Sequence, residues 1–296
     1  MKPVAFISGA SSGIGHALAL ELARRGYRIA LAARRKDALK KLANDIFLQY
    51  GEDPLVLACD ISDQAQVRAA VSETRQRFGG IDLALLSAGI GNPTDAVNFK
   101  AAPFAEIISI NLLGVAYCLE ELIPVMRQQP QGGIIAAISS LAGDRGIPGS
   151  AGYSASKAAL NALCDGMRAH LAKEQIRLVT IAPGYVRTPM TEQNGKMPFL
   201  MEADAAARLI LRRIERGDRV IRFPLPTSIA MGLVRMLPAR LLDAVLGGRV
   251  TTGRKRRSAC NSTSASSAFS RTQDSPMAAT ATRASPSCSI SFAMPG

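Results

Sequence analysis

The strongest constraint on this chain is an alternation. The stretches "VAFIS", "RIALAA", "PLVLACD", "DLALLSAG", "GGIIAAISS" and "RLVTIAPG" are short and almost wholly apolar. Between them lie longer stretches with helical spacing, such as "KDALKKLANDIFLQYG", where Leu39, Leu42 and Ile46 fall on one face. Strands apolar on both faces belong inside a parallel sheet, and helices with one apolar stripe belong on its outside. The pattern predicts an α/β fold: a doubly wound parallel sheet in three α/β/α layers.

The fourth helical stretch runs through "FAEIISINLLGVAYCLEELIPVMRQ", and the fifth contains Tyr153 and Lys157. After Pro183-Gly184 a turn-rich segment, "YVRTPMTEQNGKMPFL", precedes a helix "EADAAARLILRRIERG" and a strand "RVIRFP". The boundaries follow: a main domain over 1–222 with a loop or lid over 188–201, an apolar amphipathic extension over 223–250, and a tail over 251–296. The extension is strongly apolar, but Arg235, Pro238, Arg240 and Asp243 interrupt it. Such a segment can cover a pocket, pair subunits or lie on a membrane surface through residues 228–246. Core packing or subunit contact is the simplest reading. The tail is rich in Ser, Thr, Ala and Pro without periodicity, a composition that predicts disorder.

Composition excludes several classes. Five scattered cysteines include no C-x-x-C pair, so neither a metal site nor a disulfide framework is expected, and a reducing, cytoplasmic setting fits. "VAFISGA" is too short for a signal peptide, and no apolar run reads as long enough to span a bilayer. The net charge of +13 is concentrated toward the tail, where seven basic residues face one acidic residue from Arg249 onward. No aromatic residues interleave with "GRKRR", so a solvated tail is expected and no nucleic-acid partner.

The turn "SGASSGIG" joins the first strand to the first helix, with Gly9, Gly13 and Gly15 in a G-x-x-x-G-x-G spacing. Glycines let a ligand approach the backbone, and the helix N-terminus offers free N–H groups to a pyrophosphate. The turn therefore suits a dinucleotide. At the end of the second strand, "LAARRK" places Ala33 where an acidic residue would hold ribose hydroxyls, followed by Arg34, Arg35 and Lys36. Guanidinium groups grip a 2′-phosphate that a carboxylate would repel. NADP is preferred over NAD, with Arg34 as the leading contact. Asp60 in "CDIS" is either an adenine acceptor or a helix cap.

From Lys2 to Arg222 the chain resembles the short-chain dehydrogenase/reductase family. The resemblance rests on "GASSGIG", "CDIS", "SAG", "INLLG", "ISS", "YSASK" and "PGYVRTPM", in that order. It implies a Rossmann fold and hydride transfer between a nicotinamide and a carbonyl or secondary alcohol. It also implies Tyr153 as acid/base, Lys157 as its partner, Ser140 as the carbonyl-orienting hydroxyl and Asn111 as a water-anchoring relay. The i, i+4 spacing of Tyr153 and Lys157 independently puts both on one helix face. Residues alone barely choose between Ser139 and Ser140; family spacing favours Ser140. The resemblance extends the cofactor site to Ser11, Ser12, Ile14, Ile61, Ala88, Gly89, Pro183, Gly184, Val186 and Thr188. One departure stands out: Leu86 and Ser87 occupy positions where the family usually has two asparagines. Lid residues Met190, Met197, Phe199, Leu200 and Met201 favour an apolar substrate. The family also implies a homodimer or homotetramer. Two alternatives remain at this stage: the same enzyme with NAD, or a nucleotide sensor without turnover.

Overall fold

The computed structural model describes residues 2–192, 197–238 and 240–241. The seven strands are β1 (Val4–Ser8), β2 (Arg28–Ala33), β3 (Leu55–Ala58), β4 (Leu83–Leu86), β5 (Gly133–Ile138), β6 (Ile176–Pro183) and β7 (Val220–Phe223). They form one sheet in the order β3-β2-β1-β4-β5-β6-β7, and every neighbouring pair is parallel. Phe6 sets the central register, opposite Ala30 on one side and Ala84 on the other.

Eight α-helices occur among the described residues: α1 (Gly13–Arg24), α2 (Lys36–Tyr50), α3 (Gln64–Phe78), α4 (Ala101–Ile108), α5 (Gly114–Arg127), α6 (Ala151–Lys173), α7 (Ala203–Glu215) and α8 (Leu225–Met236). Successive strand residues point to opposite faces, so two cores form. On one face Ile7, Leu31, Leu85 and Ile181 pack with Leu18 of α1, Leu42 of α2 and Ile210 of α7. On the other, Phe6, Ala30, Ala84 and Ile135 pack with Val67 of α3, Leu122 of α5 and Leu160 of α6. This is the expected three-layer, doubly wound architecture. The sheet's order reverses between β1 and β4, which opens a crevice at the carboxyl ends of those strands.

Two features depart from the sequence reading. The long helix before β5 is α4 and α5 joined by a π-helical turn, Ser109–Leu113. The joined segment is apolar enough to pass for a membrane span, with a mean hydropathy of 1.6 over its best window. Its Ile107, Val115, Cys118, Leu119, Leu122 and Met126 are buried, which makes it a core helix.

The second departure is α8, which buries none of its residues. Core packing therefore does not describe it. The reason is geometric: α1, α2 and α7 already cover one sheet face, and α3, α5 and α6 the other. The helix is held by polar contacts instead. Arg222 Nε donates to Ser228 Oγ at 3.1 Å, and Arg145 donates to the Leu237 carbonyl at 3.4 Å. Arg222 also pairs with Asp144, whose side chain is only 3 % exposed.

The first compact unit is Met1–Thr251. The expected tail, the end of the amphipathic extension and residues 193–196 of the lid lie outside the described residues.

Candidate active site

A cleft of about 480 Å³ opens along the carboxyl ends of β1 to β6. Of the five nominated lid residues only Met190 lines it, and every residue nominated for catalysis or cofactor binding does except Gly15 and Asn111. Both exceptions lie just beneath the wall. A Cβ on Gly15 would stand 2.5 Å from the Gly9 carbonyl oxygen, so this glycine lets α1 close onto the turn. Gly9 adopts φ +71°, and a Cβ there would reach within 2.6 Å of the Ala88 backbone. The turn after β1 and the loop after β4 thus touch through glycine.

The N-terminal end of α1 is arranged for an anion. Its cap residue Ser12 makes no side-chain capping bond, and no acidic residue sits in the first turn. The first N–H groups of the helix keep their partial positive charge for a ligand. Arg35 reaches back over this turn, donating to Ser11 Oγ at 3.0 Å and Ser12 Oγ at 2.8 Å. Arg34 is 59 % exposed, with its guanidinium 3.9 Å from Asp60. The sequence favoured Arg34; the structure sets both arginines at the cleft and gives Arg35 the contacts with the glycine-rich turn. Asp60 accepts from Ser62 N and Oγ at 3.0 and 2.7 Å. The cap of α3 is Asp63, which accepts from Ala65 N and Gln66 N, so the cap alternative for Asp60 falls away.

At the other end, α6 carries Tyr153 and Lys157 into the cleft. The Lys157 ammonium lies 5.7 Å from the Tyr153 ring centre and donates to the Ile138 carbonyl at 2.8 Å. Burial lowers the Lys157 pKa to about 8. Burial pushes the Tyr153 phenol above its usual 10, and a hydrogen bond with Ser140 pulls it partly back. Ser139 Oγ donates to Asn161 Oδ1 at 2.6 Å and to the Lys157 carbonyl at 3.3 Å. Ser139 thus ties β5 to α6, and Ser140 is the serine beside the phenol.

Asn111 sits in the π turn and is wholly buried. Its Oδ1 accepts from Ile90 N at 2.8 Å, and its Nδ2 donates to Ile90 O at 2.9 Å and Ser156 Oγ at 3.0 Å. With these bonds the Asn111 side chain clamps the loop after β4 to α6. The extra residue of a π turn reorients a side chain within a helix, a local feature that recurs at functional sites. Ser156 closes the clamp by donating to the Tyr153 carbonyl at 2.7 Å.

Sequence reasoning missed this hydroxyl. It also missed Asn161 and the loop residues Ile90, Gly91 and Asn92, three of which line the cleft. A one-residue signal for Ser156 exists only in its place between Tyr153 and Lys157. Ser156→Ala is expected to lower kcat about tenfold through misplacement of Tyr153 and to cost about 1 kcal/mol of stability. Steady-state kinetics and urea unfolding check both, and an unchanged kcat would make the clamp purely structural.

On the substrate side, Gly91 lies between the Tyr153 ring and Met190. An added Cβ would stand 3.5 Å from the ring and 3.6 Å from the Met190 sulfur. Thr191 Oγ1 folds the start of the lid, donating to Val186 O at 2.7 Å and accepting from Thr188 N at 3.0 Å. Val186 bridges to Met201 at the lid's far end.

Known proteins share this fold. A family model described as short chain dehydrogenase matches residues 3–198. An uncharacterized oxidoreductase of Myxococcus xanthus is 36% identical over 244 residues, covering 81% of this chain and 94% of its own. The crystal structure of an alcohol dehydrogenase from the archaeon Thermococcus sibiricus, complexed with 5-hydroxy-NADP, superposes with a TM-score of 0.68 at 29% identity, over 75% of this chain and 95% of that one. A 3-ketoacyl-(acyl-carrier-protein) reductase from Brucella melitensis, complexed with NADH, superposes with a TM-score of 0.71 at 27% identity, over 76% and 98%. With the family motifs, the parallel sheet and the Tyr153–Lys157 cleft in agreement, this chain belongs to the short-chain dehydrogenase/reductase family and is an NAD(P)-dependent oxidoreductase.

Proposed function

We propose that the enzyme uses NADP(H) to interconvert a carbonyl and a secondary alcohol on a small apolar substrate. The observation that carries the cofactor assignment is the end of β2. Ala33 stands there without a carboxylate, and Arg34 and Arg35 both face the cleft. A phosphate ester fits this pair of guanidinium groups, and the uncapped start of α1 fits the pyrophosphate. Arg34, Arg35 and the turn from Gly9 to Gly15 would hold the phosphates, and Pro183, Gly184, Val186 and Thr188 would flank the nicotinamide. The cofactor, when bound, supplies or accepts a hydride.

The remaining chemistry belongs to the chain. In the reducing direction Tyr153 donates a proton to the substrate oxygen, and Ser140 donates a hydrogen bond to the charge developing there. Lys157 holds positive charge beside the phenol and favours its return to the ionised form. Met190 and the half-buried Ile90 give the substrate end an apolar wall, which supports an apolar substrate. Cys59, Cys118 and Cys164 are buried and unpaired, which supports a reducing, cytoplasmic setting. A homodimer or homotetramer is the assembly we assign on the family resemblance.

A panel of ketones, aldehydes and alcohols followed through nicotinamide absorbance tests this reading. With the best substrate, kcat/KM with NADPH is expected to exceed that with NADH by about 10²-fold, the gain from a charge-assisted bidentate grip on the extra phosphate. The double variant Arg34→Ala/Arg35→Ala is expected to lose that advantage through KM for NADPH. Equal or better turnover of the wild type with NADH would overturn the assignment.

A further inference from the structure

The start of α6 is capped from elsewhere in the chain. The helix begins at Ala151, two residues before Tyr153. A cap side chain normally accepts from the amide of the helix's second or third residue. Ser150, in the cap position, makes no such bond. Thr94 makes it instead: its Oγ1 accepts from Gly152 N at 3.0 Å, across fifty-eight residues of sequence. The Thr94 amide donates in turn to the Gly149 carbonyl at 2.8 Å. Thr94 therefore holds the chain on both sides of Ser150. The fit uses the glycine at 152, where an added Cβ would stand 3.3 Å from Phe104 and Ile107 of α4 and 3.5 Å from Thr94 Oγ1.

The same loop meets Tyr153 from a second side. Gly91, three residues before Thr94, faces the ring, and an added Cβ there would stand 3.5 Å from Tyr153 Cδ2. Asn111 holds Ile90, just before it, by bonds of 2.8 and 2.9 Å to the backbone. At the loop's far end the Phe99 ring lies 6.3 Å from that of Phe104. The adjacent carboxylate, Asp95, is engaged in its own turn, accepting from Val97 N at 2.9 Å and Asn98 N at 3.0 Å. Among the described residues, half-buried Thr94 supplies the hydrogen bonds between this loop and the start of α6.

We propose that Thr94 is a positioning residue for the reaction: by capping α6 from the loop after β4, it sets the Tyr153 hydroxyl at the reacting oxygen. The inference rests on the reading of Tyr153 as the acid/base. A general acid must lie within hydrogen-bond reach of the atom it protonates. Tyr153 stands on the residue after Gly152, so a helix start released by loss of the Thr94 hydroxyl carries the phenol with it. A small displacement of a reacting group falls on kcat. The glycine-rich turn that would hold the cofactor's phosphates is at the other end of the cleft, so cofactor affinity is left alone.

The test compares Thr94→Val, Thr94→Ser and Tyr153→Phe with the wild type, each as the full chain, on the best carbonyl substrate of the panel above. Valine keeps the volume and removes the acceptor. Thr94→Val is expected to lower kcat about tenfold. It is also expected to raise the solvent deuterium isotope effect on kcat, because the proton step slows while the other steps do not. Cofactor affinity, from a fluorescence titration, is expected to stay at the wild-type value, and the melting midpoint to fall by no more than about 4 °C. Thr94→Ser keeps the hydroxyl and is expected to recover most of the lost rate. Thr94→Ala serves if the valine variant does not fold. An unchanged kcat in the valine variant, where Tyr153→Phe loses activity, overturns this inference and leaves the acid/base reading standing. A lower kcat with an unchanged isotope effect, or one that serine does not restore, also overturns it and makes Thr94 a purely structural cap. A Tyr153→Phe enzyme with full kcat overturns the acid/base reading, and this inference with it.

Discussion

Tyr153→Phe is expected to lower kcat by about 10³-fold, the contribution of a positioned general acid, while cofactor affinity and the melting midpoint stay near wild type. The substitution removes one oxygen and keeps the ring. Packing between Gly91 and the helix is therefore preserved, and the loss falls on proton transfer alone. Burial holds the phenol above its usual pKa, so at neutral pH the hydroxyl is protonated and ready to donate in the reducing direction. In the oxidising direction the same group must first lose its proton. Wild-type alcohol oxidation should therefore rise with pH through the phenol's titration, and carbonyl reduction should fall. Steady-state rates in both directions, with a fluorescence titration of the cofactor, check these outcomes. A phenylalanine variant that keeps wild-type kcat would remove Tyr153 from the reaction.

The sheet was legible because its strands are buried on both faces. A run such as "VAFIS" has no solvent side to break its apolar pattern, and all five of its residues are buried. The site was legible for a different reason: glycines at the first turn and the Tyr153–Lys157 spacing each answer a backbone or proximity requirement. What stayed hidden depends on tertiary contacts. The π turn at Asn111 follows from no local propensity in "SINLL"; it fits the clamp to Ile90 and Ser156. Residues alone barely separated Ser139 from Ser140, and family spacing favoured Ser140; the bond between Ser139 and Asn161 is what the sequence could not show. The roles of Arg34 and Arg35 depended on which side chain turns back toward Ser11 and Ser12. Helix α8 misled because an apolar composition predicts burial only while some face of the sheet remains uncovered.

Lys157→Met is expected to cost about 10²-fold in kcat and, at neutral pH, to make the fold more stable. The two effects have one cause. The ammonium is buried, and burial lowers its pKa from the usual 10.5 to about 8. Below pH 8 both the folded and unfolded chains carry the proton, and the folded chain bears the full cost of burying it. Between pH 8 and 10.5 the unfolded chain binds more protons than the folded one, so rising pH relieves that cost. Methionine fills similar space without charge. The shift corresponds to about 3 kcal/mol, and the hydrogen bond lost at the Ile138 carbonyl takes back about 1 kcal/mol. The variant should thus be more stable than wild type by about 2 kcal/mol at pH 7, with the gap closing at about pH 9.5 and reversing by about 1 kcal/mol toward pH 10.5. Burial raises Tyr153, Cys59 and Cys118 in both chains alike, so they drop out of the difference; Cys164, whose thiol the Lys157 charge pulls down, is raised further in the variant. Urea unfolding of both proteins at pH 7 and pH 10 measures it. A variant less stable than wild type at pH 7 would show that the contact with Ile138 outweighs burial. The expected result instead marks Lys157 as a charge the fold retains at a cost, in the place where Tyr153 needs it.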